Sequence, residues 1–241
     1  MKPIRIFSQA EVIQCLNNRK MYIAGDSYSL NLAIGLTDLL VGNVSNANVT
    51  THAERLSYMR MTVAMMKQTP YLEKIDVNFV CNERPQCVGD APNLKTCRNC
   101  LESLGPADVT VVGAAVHLLN YPESSVHSVM NSIKWFLETT PNIIWTSVPS
   151  YNGKVVPSQL TKRIFGTTAT YVLSRGPTGL MRKITNFSPN GVPFLDFYEL
   201  SRVCLSKWSN CTTDGGHRSR FMNRMKAQML VNMLCEPKPL V

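Results

Sequence analysis

The chain reads as an α/β protein built on a mostly parallel sheet, and three observations lead there. Short apolar runs alternate with segments of helical periodicity along most of its 241 residues. One unit, residues 20–40, has the strand, tight turn and helix order of a parallel-sheet protein. The composition, 44% hydrophobic and 17% charged, suffices for a large core and lacks the bias of a disordered segment. We expect one domain spanning 1–241, a three-layer sandwich with helices on both faces of the sheet.

The elements follow in order. Ser8 and Glu11 form a capping-box pattern that opens a short helix containing Ala10, Val12, Ile13 and Leu16. Lys20 to Ala24 is a short buried strand stopping at Gly25, after which Leu30, Ala33, Ile34, Leu36 and Leu40 recur at helical spacing. Further strands are expected at Ile75 to Cys81, Val109 to Val112 and Ile143 to Val148, with helices at Ser124 to Leu137 and Leu160 to Ser174. Ala53 to Met66 fits helix and strand alike, because Leu56, Met59, Met61, Val63 and Met65 mostly alternate whereas Ala64 and the methionine pair suit a helix. Val192 to Phe197 suits a last strand, and Arg218 to Cys235 a terminal helix with Phe221, Met225, Met229, Leu230 and Leu234 on a common side.

Composition narrows the partners. No apolar run approaches the roughly 20 residues of a membrane-spanning helix, and the first twenty residues lack the apolar centre of a signal peptide. A net charge of +9 favours acidic partners, but the basic residues are scattered apart from Arg218, Arg220, Arg224 and Lys226. They are not interleaved with aromatics as single-strand binders require, so no nucleic-acid partner is expected.

Eight cysteines are more than packing alone explains in a reduced compartment. With four glycosylation triplets, at Asn43, Asn48, Asn186 and Asn210, they point to disulfides and to the secretory lumen or the cell exterior, against the missing signal peptide. Cys81, Cys87, Cys97 and Cys100 share a polar stretch, residues 82–100 with its flank, which reads as a cysteine-stapled loop insertion. A four-thiolate zinc site is the rival, but only Cys97 and Cys100 form a short knuckle, so disulfides are favoured and no metal is expected. Elsewhere, Cys15 with Cys235 would tie the first helix to the last, and Cys204 with Cys211 would staple the segment before the terminal helix.

Gly25-Asp26-Ser27 falls where a buried strand ends and a helix begins, the edge of a parallel sheet where ligand sites gather. A serine hydroxyl there lies beside helix N–H groups able to stabilise an oxyanion. A lone triplet of this kind more often just caps the helix. A second motif changes the balance: Asp214-Gly215-Gly216-His217 directly precedes the terminal helix, and His217 alone among four histidines has an aspartate three residues before it. A serine nucleophile needs a base, and the base needs a carboxylate to fix its tautomer.

These two motifs resemble the SGNH hydrolases, whose sheet is flavodoxin-like, and more narrowly the PC-esterase branch. That branch includes the luminal domain of sialate O-acetyltransferases and the plant trichome-birefringence-like glycan O-acetyltransferases. Three stretches carry the likeness: YIAGDSYSLNLAIGL at 22–36, VTVVGAAVHLL at 109–119 and DGGHRSRFMNRMKAQMLVNMLC at 214–235. The resemblance implies Ser27 as nucleophile, His217 as base and Asp214 as its orienting acid. It implies an oxyanion hole from the Ser27 N–H and a later glycine, for which Gly113 is the candidate. The family's Gly-x-Asn-Asp block is replaced here by Gly113-Ala114-Ala115-Val116-His117, leaving His117 as donor, substrate contact or structural residue.

Arg218 and Arg220 stand as substrate-binding candidates, able to attract an acidic glycan or fork onto a carboxylate, or else as solvated first-turn residues. Asn31, one turn after Ser27, is a supporting candidate. The expected activity is a serine-dependent esterase or O-acyltransferase on O-acyl esters, foremost O-acetyl groups of a glycan. It needs no cofactor beyond an acyl donor such as an acetyl thioester in the transferase case. The alternative is a glycan-binding or cell-surface module that keeps the fold without catalysis.

Overall fold

The computed structural model describes residues 4–25, 27–42, 51–80, 94–113, 126–147, 191–202 and 219–236. Five strands form one all-parallel sheet: β1 (Lys20–Gly25), β2 (Asp76–Val80), β3 (Val109–Gly113), β4 (Ile143–Thr146) and β5 (Phe194–Leu195). Their order is β2-β1-β3-β4-β5. The chain thus moves one way from β1 to β2 and the other way from β3 onward. In open parallel sheets the crevice for ligands lies where the order reverses, outside the carboxyl ends of the strands. Here that is the junction of β1 and β3.

Helix α1 (Gln9–Leu16) starts as its capping box predicts. The Glu11 N–H donates to Ser8 Oγ at 3.3 Å while the Ser8 N–H donates to the Glu11 carboxylate at 2.7 Å. That backbone hydrogen bond, reinforced by the Ser8 hydroxyl, holds the Glu11 carboxyl below its usual pKa. Helix α2 (Ser27–Val41) is buried from Tyr28 through Leu40. A helix apolar almost all round must be a core helix, and α2 packs between β1, α3 and the terminal helix α7 (Arg220–Cys235).

Segment 53–66, which suits either structure by pattern, is helical, within α3 (His52–Gln68). A capping box of Thr51 and Glu54 sets its start, and Arg55, Tyr58, Met59, Thr62 and Met66 face inward at helical spacing. The alternation was misleading because Met61 faces solvent. Helix α4 (Leu94–Ser103) occupies part of the stretch expected as a cysteine-stapled loop. Buried Cys97 and Leu101 lie one turn apart, and the Arg98 guanidinium donates to Glu102 at 2.7 Å, a helix-favouring i,i+4 pair. It packs against α5 (Val126–Thr139).

The expected last strand, 192–197, is shorter. β5 ends at Leu195, and Phe197 opens a short helix, α6 (Phe197–Arg202). The expected helix at 160–174 lies outside the described residues.

Helix α7 turns only part of its expected apolar side inward: Leu230 is buried and Met229 and Leu234 pack against the core, but the buried face extends to polar residues. Phe221 is 58% exposed, whereas Met222, Asn223, Lys226, Ala227, Gln228, Leu230 and Val231 are buried. The reason is hydrogen bonding and close approach rather than hydropathy. Gln228 accepts from the Phe7 N–H at 2.9 Å and donates to the Phe7 carbonyl at 3.0 Å. At Gly35 a Cβ would stand 2.2 Å from the Asn223 carbonyl oxygen, so only glycine lets α2 and α7 touch there. As expected, Cys15 and Cys235 are disulfide-bonded, with Cα atoms 5.8 Å apart, fastening the end of α1 to the end of α7. Cys81, Cys87, Cys204 and Cys211 lie outside the described residues.

Candidate active site at the carboxyl edge of the sheet

Gly25 and Gly113 are register partners at the carboxyl ends of β1 and β3. Gly25 adopts φ 138°, a conformation L side chains rarely take. A Cβ on it would lie 2.0 Å from the Gly113 carbonyl oxygen. Both conformation and space therefore demand glycine. The chain then enters α2 at Ser27, which is half-buried at the N-terminal end of that helix.

Ser29 completes the junction. It is buried, and its hydroxyl donates to the Gly113 carbonyl at 2.9 Å, tying the first turn of α2 to the end of β3. Gly113 is enclosed on its other side too: a Cβ there would meet Thr146 Oγ1 at 2.5 Å and Ser29 Oγ at 2.8 Å. The glycine expected at an oxyanion hole thus stands next to the strand that leads into Ser27, with its carbonyl occupied. Asn31, one turn after Ser27, is 1% exposed, and its Nδ2 has no hydrogen-bond partner among the described residues. A buried amide without a partner costs stability unless something else repays it.

The neighbouring strands add polar groups. Ser147, just past β4, donates to Asp196 at 3.3 Å, and Asp196 directly follows β5. Asp196 is therefore a carboxylate at the same edge as Ser27. Reading 192–197 as strand placed it inside the ladder and hid it. The rule that sites gather just beyond parallel strands would have found it, given the correct strand end.

Arg220 is half-buried, and its fork is engaged by the protein itself. Nε donates to Asp38 Oδ2 at 2.7 Å and Nη2 to Oδ1 at 3.1 Å, while Nη2 also donates to the Tyr58 hydroxyl at 2.8 Å. Tyr58 in turn donates to Asp38 at 2.7 Å. These hydrogen bonds to Asp38 raise the pKa of the guanidinium above its ordinary value. The carboxylate that this arginine grips is an internal one, so neither a substrate carboxylate nor open solvent is its main partner.

Asp38 lies eleven residues beyond Ser27 on α2, an axial rise of about 16 Å. Three residues separate His217 from Arg220, a chain span of at most about 10 Å. Arg220 thus meets α2 at a point well beyond the turn of the helix that carries Ser27. Asp26, His117, Asp214, His217 and Arg218 themselves lie outside the described residues.

A groove of about 370 Å³ lies at the opposite, amino edge, lined among others by Tyr22, Arg98, Thr110 and Asn142. Its polar groups are committed: Tyr22 donates to the Leu104 carbonyl, Asn142 to that of Ala107, and Arg98 to Glu102. Ser27 lies at the other, carboxyl edge. No family model matches the chain, and neither a curated protein nor a solved structure is found to match it.

Proposed function

We propose that the protein is a serine-dependent esterase or O-acyltransferase acting on O-acyl esters, foremost O-acetyl groups of a glycan. The observation that carries the reading is the position of Ser27. It opens a fifteen-residue buried helix immediately after the carboxyl end of β1, at the reversal of strand order, beside paired glycines. That position gives a nucleophile access from solvent and gives an oxyanion the N–H groups of the helix start.

In this mechanism His217 takes the Ser27 proton as the hydroxyl oxygen attacks the ester carbonyl carbon. Asp214 holds the imidazole in the reactive tautomer and stabilises its charged form. The Ser27 N–H and the backbone near Gly113 receive the oxyanion. The tetrahedral species then collapses, the alcohol leaves with the proton from His217, and an acyl-serine remains. Water resolves it in an esterase and a sugar hydroxyl in a transferase, with an acyl donor such as an acetyl thioester in the latter case. The Cys15–Cys235 disulfide supports an oxidising compartment, the secretory lumen or the cell exterior, as the place of action.

Replacing Ser27 by Ala tests the reading on a chromogenic acetyl ester, with mass spectrometry for an acetylated peptide containing residue 27. Turnover should fall by roughly a thousandfold or more while the fold persists. Equal turnover in the two folded proteins would remove the serine from the mechanism. The replaced Gly-x-Asn-Asp block favours a second reading, a glycan-binding module without catalysis. A serine-directed phosphonate separates them, because such a module would leave Ser27 unlabelled.

A further inference from the structure

We propose that Asn31 is the side-chain donor reserved for the Ser27 oxygen: its Nδ2–H, unpartnered among the described residues, hydrogen-bonds Ser27 Oγ when that atom gains negative charge. The inference rests on the catalytic reading of Ser27. Four residues make slightly more than one helical turn, so Ser27 and Asn31 share a face of α2, with Cβ atoms about 5–6 Å apart. Side chains on a helix lean toward its N-terminus, which carries the Asn31 amide over the turn that begins at Ser27. An amide nitrogen two bonds from its Cβ and a hydroxyl one bond from its own can close that gap to hydrogen-bond length.

The amide stands apart from the rest of α2. The other buried polar side chains of this helix are engaged: Ser29 donates to the Gly113 carbonyl at 2.9 Å, Thr37 donates to the Ala33 carbonyl at 3.1 Å, and Asp38 accepts from Arg220 and Tyr58. A donor desolvated without a partner destabilises the fold, and a leucine, like the neighbouring Leu30 and Leu32, would avoid that loss. The retained amide therefore fits an acceptor that gains strength only during reaction. Gly35, one turn further along the same face, has the Asn223 carbonyl oxygen 2.2 Å from where a Cβ would stand, so α7 closes this face behind Asn31. Toward the other end lies Ser27, which is partly exposed. As the Ser27 proton passes to His217, the oxygen it leaves gains charge, and a bond from Nδ2 to a charged oxygen is stronger than one to a neutral hydroxyl. When water or a sugar hydroxyl later displaces the acyl group, the C–Oγ electron pair returns to the same oxygen, and Nδ2 stabilises it until His217 gives back the proton.

The test compares wild type, Asn31→Leu and Asn31→Ala in two measurements on the full chain, the inactivation rate with a fluorophosphonate and the melting temperature. Asn31→Leu should melt at or above the wild-type temperature, because an unpaired donor is gone, yet its maximal inactivation rate should fall roughly tenfold with the inhibition constant unchanged. A residue that served only the fold would not move those two readings in opposite directions. If the larger leucine does not fit, Asn31→Ala decides, with the same loss of rate and a melting temperature close to wild type. A folded variant labelled as fast as wild type overturns the proposal. So does a marked fall in melting temperature in both variants, which would give the amide a partner in the resting fold, such as an internal water. A wild-type protein that is not labelled at Ser27 sinks the catalytic reading and the inference together, whereas a labelled wild type with equally fast variants sinks the inference alone.

Discussion

Asp38 has a fully buried carboxylate that accepts from two nitrogens of Arg220 and from the Tyr58 hydroxyl. Such a charge is tolerable only while its partners remain, since deleting one leaves the other desolvated and uncompensated. Arg220→Ala should therefore cost about 3 kcal/mol, the low end for a buried pair because the arginine side chain is 29% exposed. Urea denaturation measures this, and a loss below about 1 kcal/mol would mark the pair as an ordinary surface bridge. Arg220 also shows how far a residue can be read from its neighbours alone. Its ability to fork onto a carboxylate was legible from residue type, but the identity of that carboxylate, 182 positions away in the chain, was not.

Between elements, the contact of α2 with α7 sets the register of the core. Gly35 has no special backbone angle; it is needed because the Asn223 carbonyl lies where a Cβ would be. Gly35→Ala should push the helices apart and destabilise by about 1–3 kcal/mol, despite the better helix propensity of alanine. A stability equal to or above wild type would mean that the two helices yield easily. The same contact explains why the buried face of α7 was anticipated only in part. Phe221 and Met225 lead the apolar pattern outward, whereas buried Lys226 stands against rings on α2 and α6 and buried Gln228 bonds the segment before α1. The buried side of a helix follows from its periodicity only when hydrophobic burial alone pays for the packing.

At the scale of the whole molecule, the Cys15–Cys235 bridge closes a loop with a sequence separation of 220, nearly the full chain. Removal of a native disulfide typically costs about 2–5 kcal/mol, and loop-closure entropy puts a bridge of this span at the upper end. Cys15→Ser with Cys235→Ser should lower the unfolding free energy by that amount in denaturant melts. A wild-type protein whose melts are unchanged by a reductant that opens the bridge would refute it. Because the bridge joins α1 to α7, its loss should loosen the helix that carries Lys226 and Arg220 before it affects the sheet.

The sequence by itself determined the local features. Capping residues, short apolar runs and a glycine at a strand end are signals carried by contiguous residues, and they marked α1, all five strands, the last of them too long, and the turn into Ser27. The Cys15–Cys235 pairing was one possibility among eight cysteines, and only the packing of α1 against α7 selects it. Only the tertiary structure decided the strand order, the pairing of Gly25 with Gly113, the end of β5 that exposes Asp196, and the partners of Arg220 and Lys226. Each of these depends on residues far apart in the chain, and their contact energies outweigh the propensity and hydropathy of any single segment.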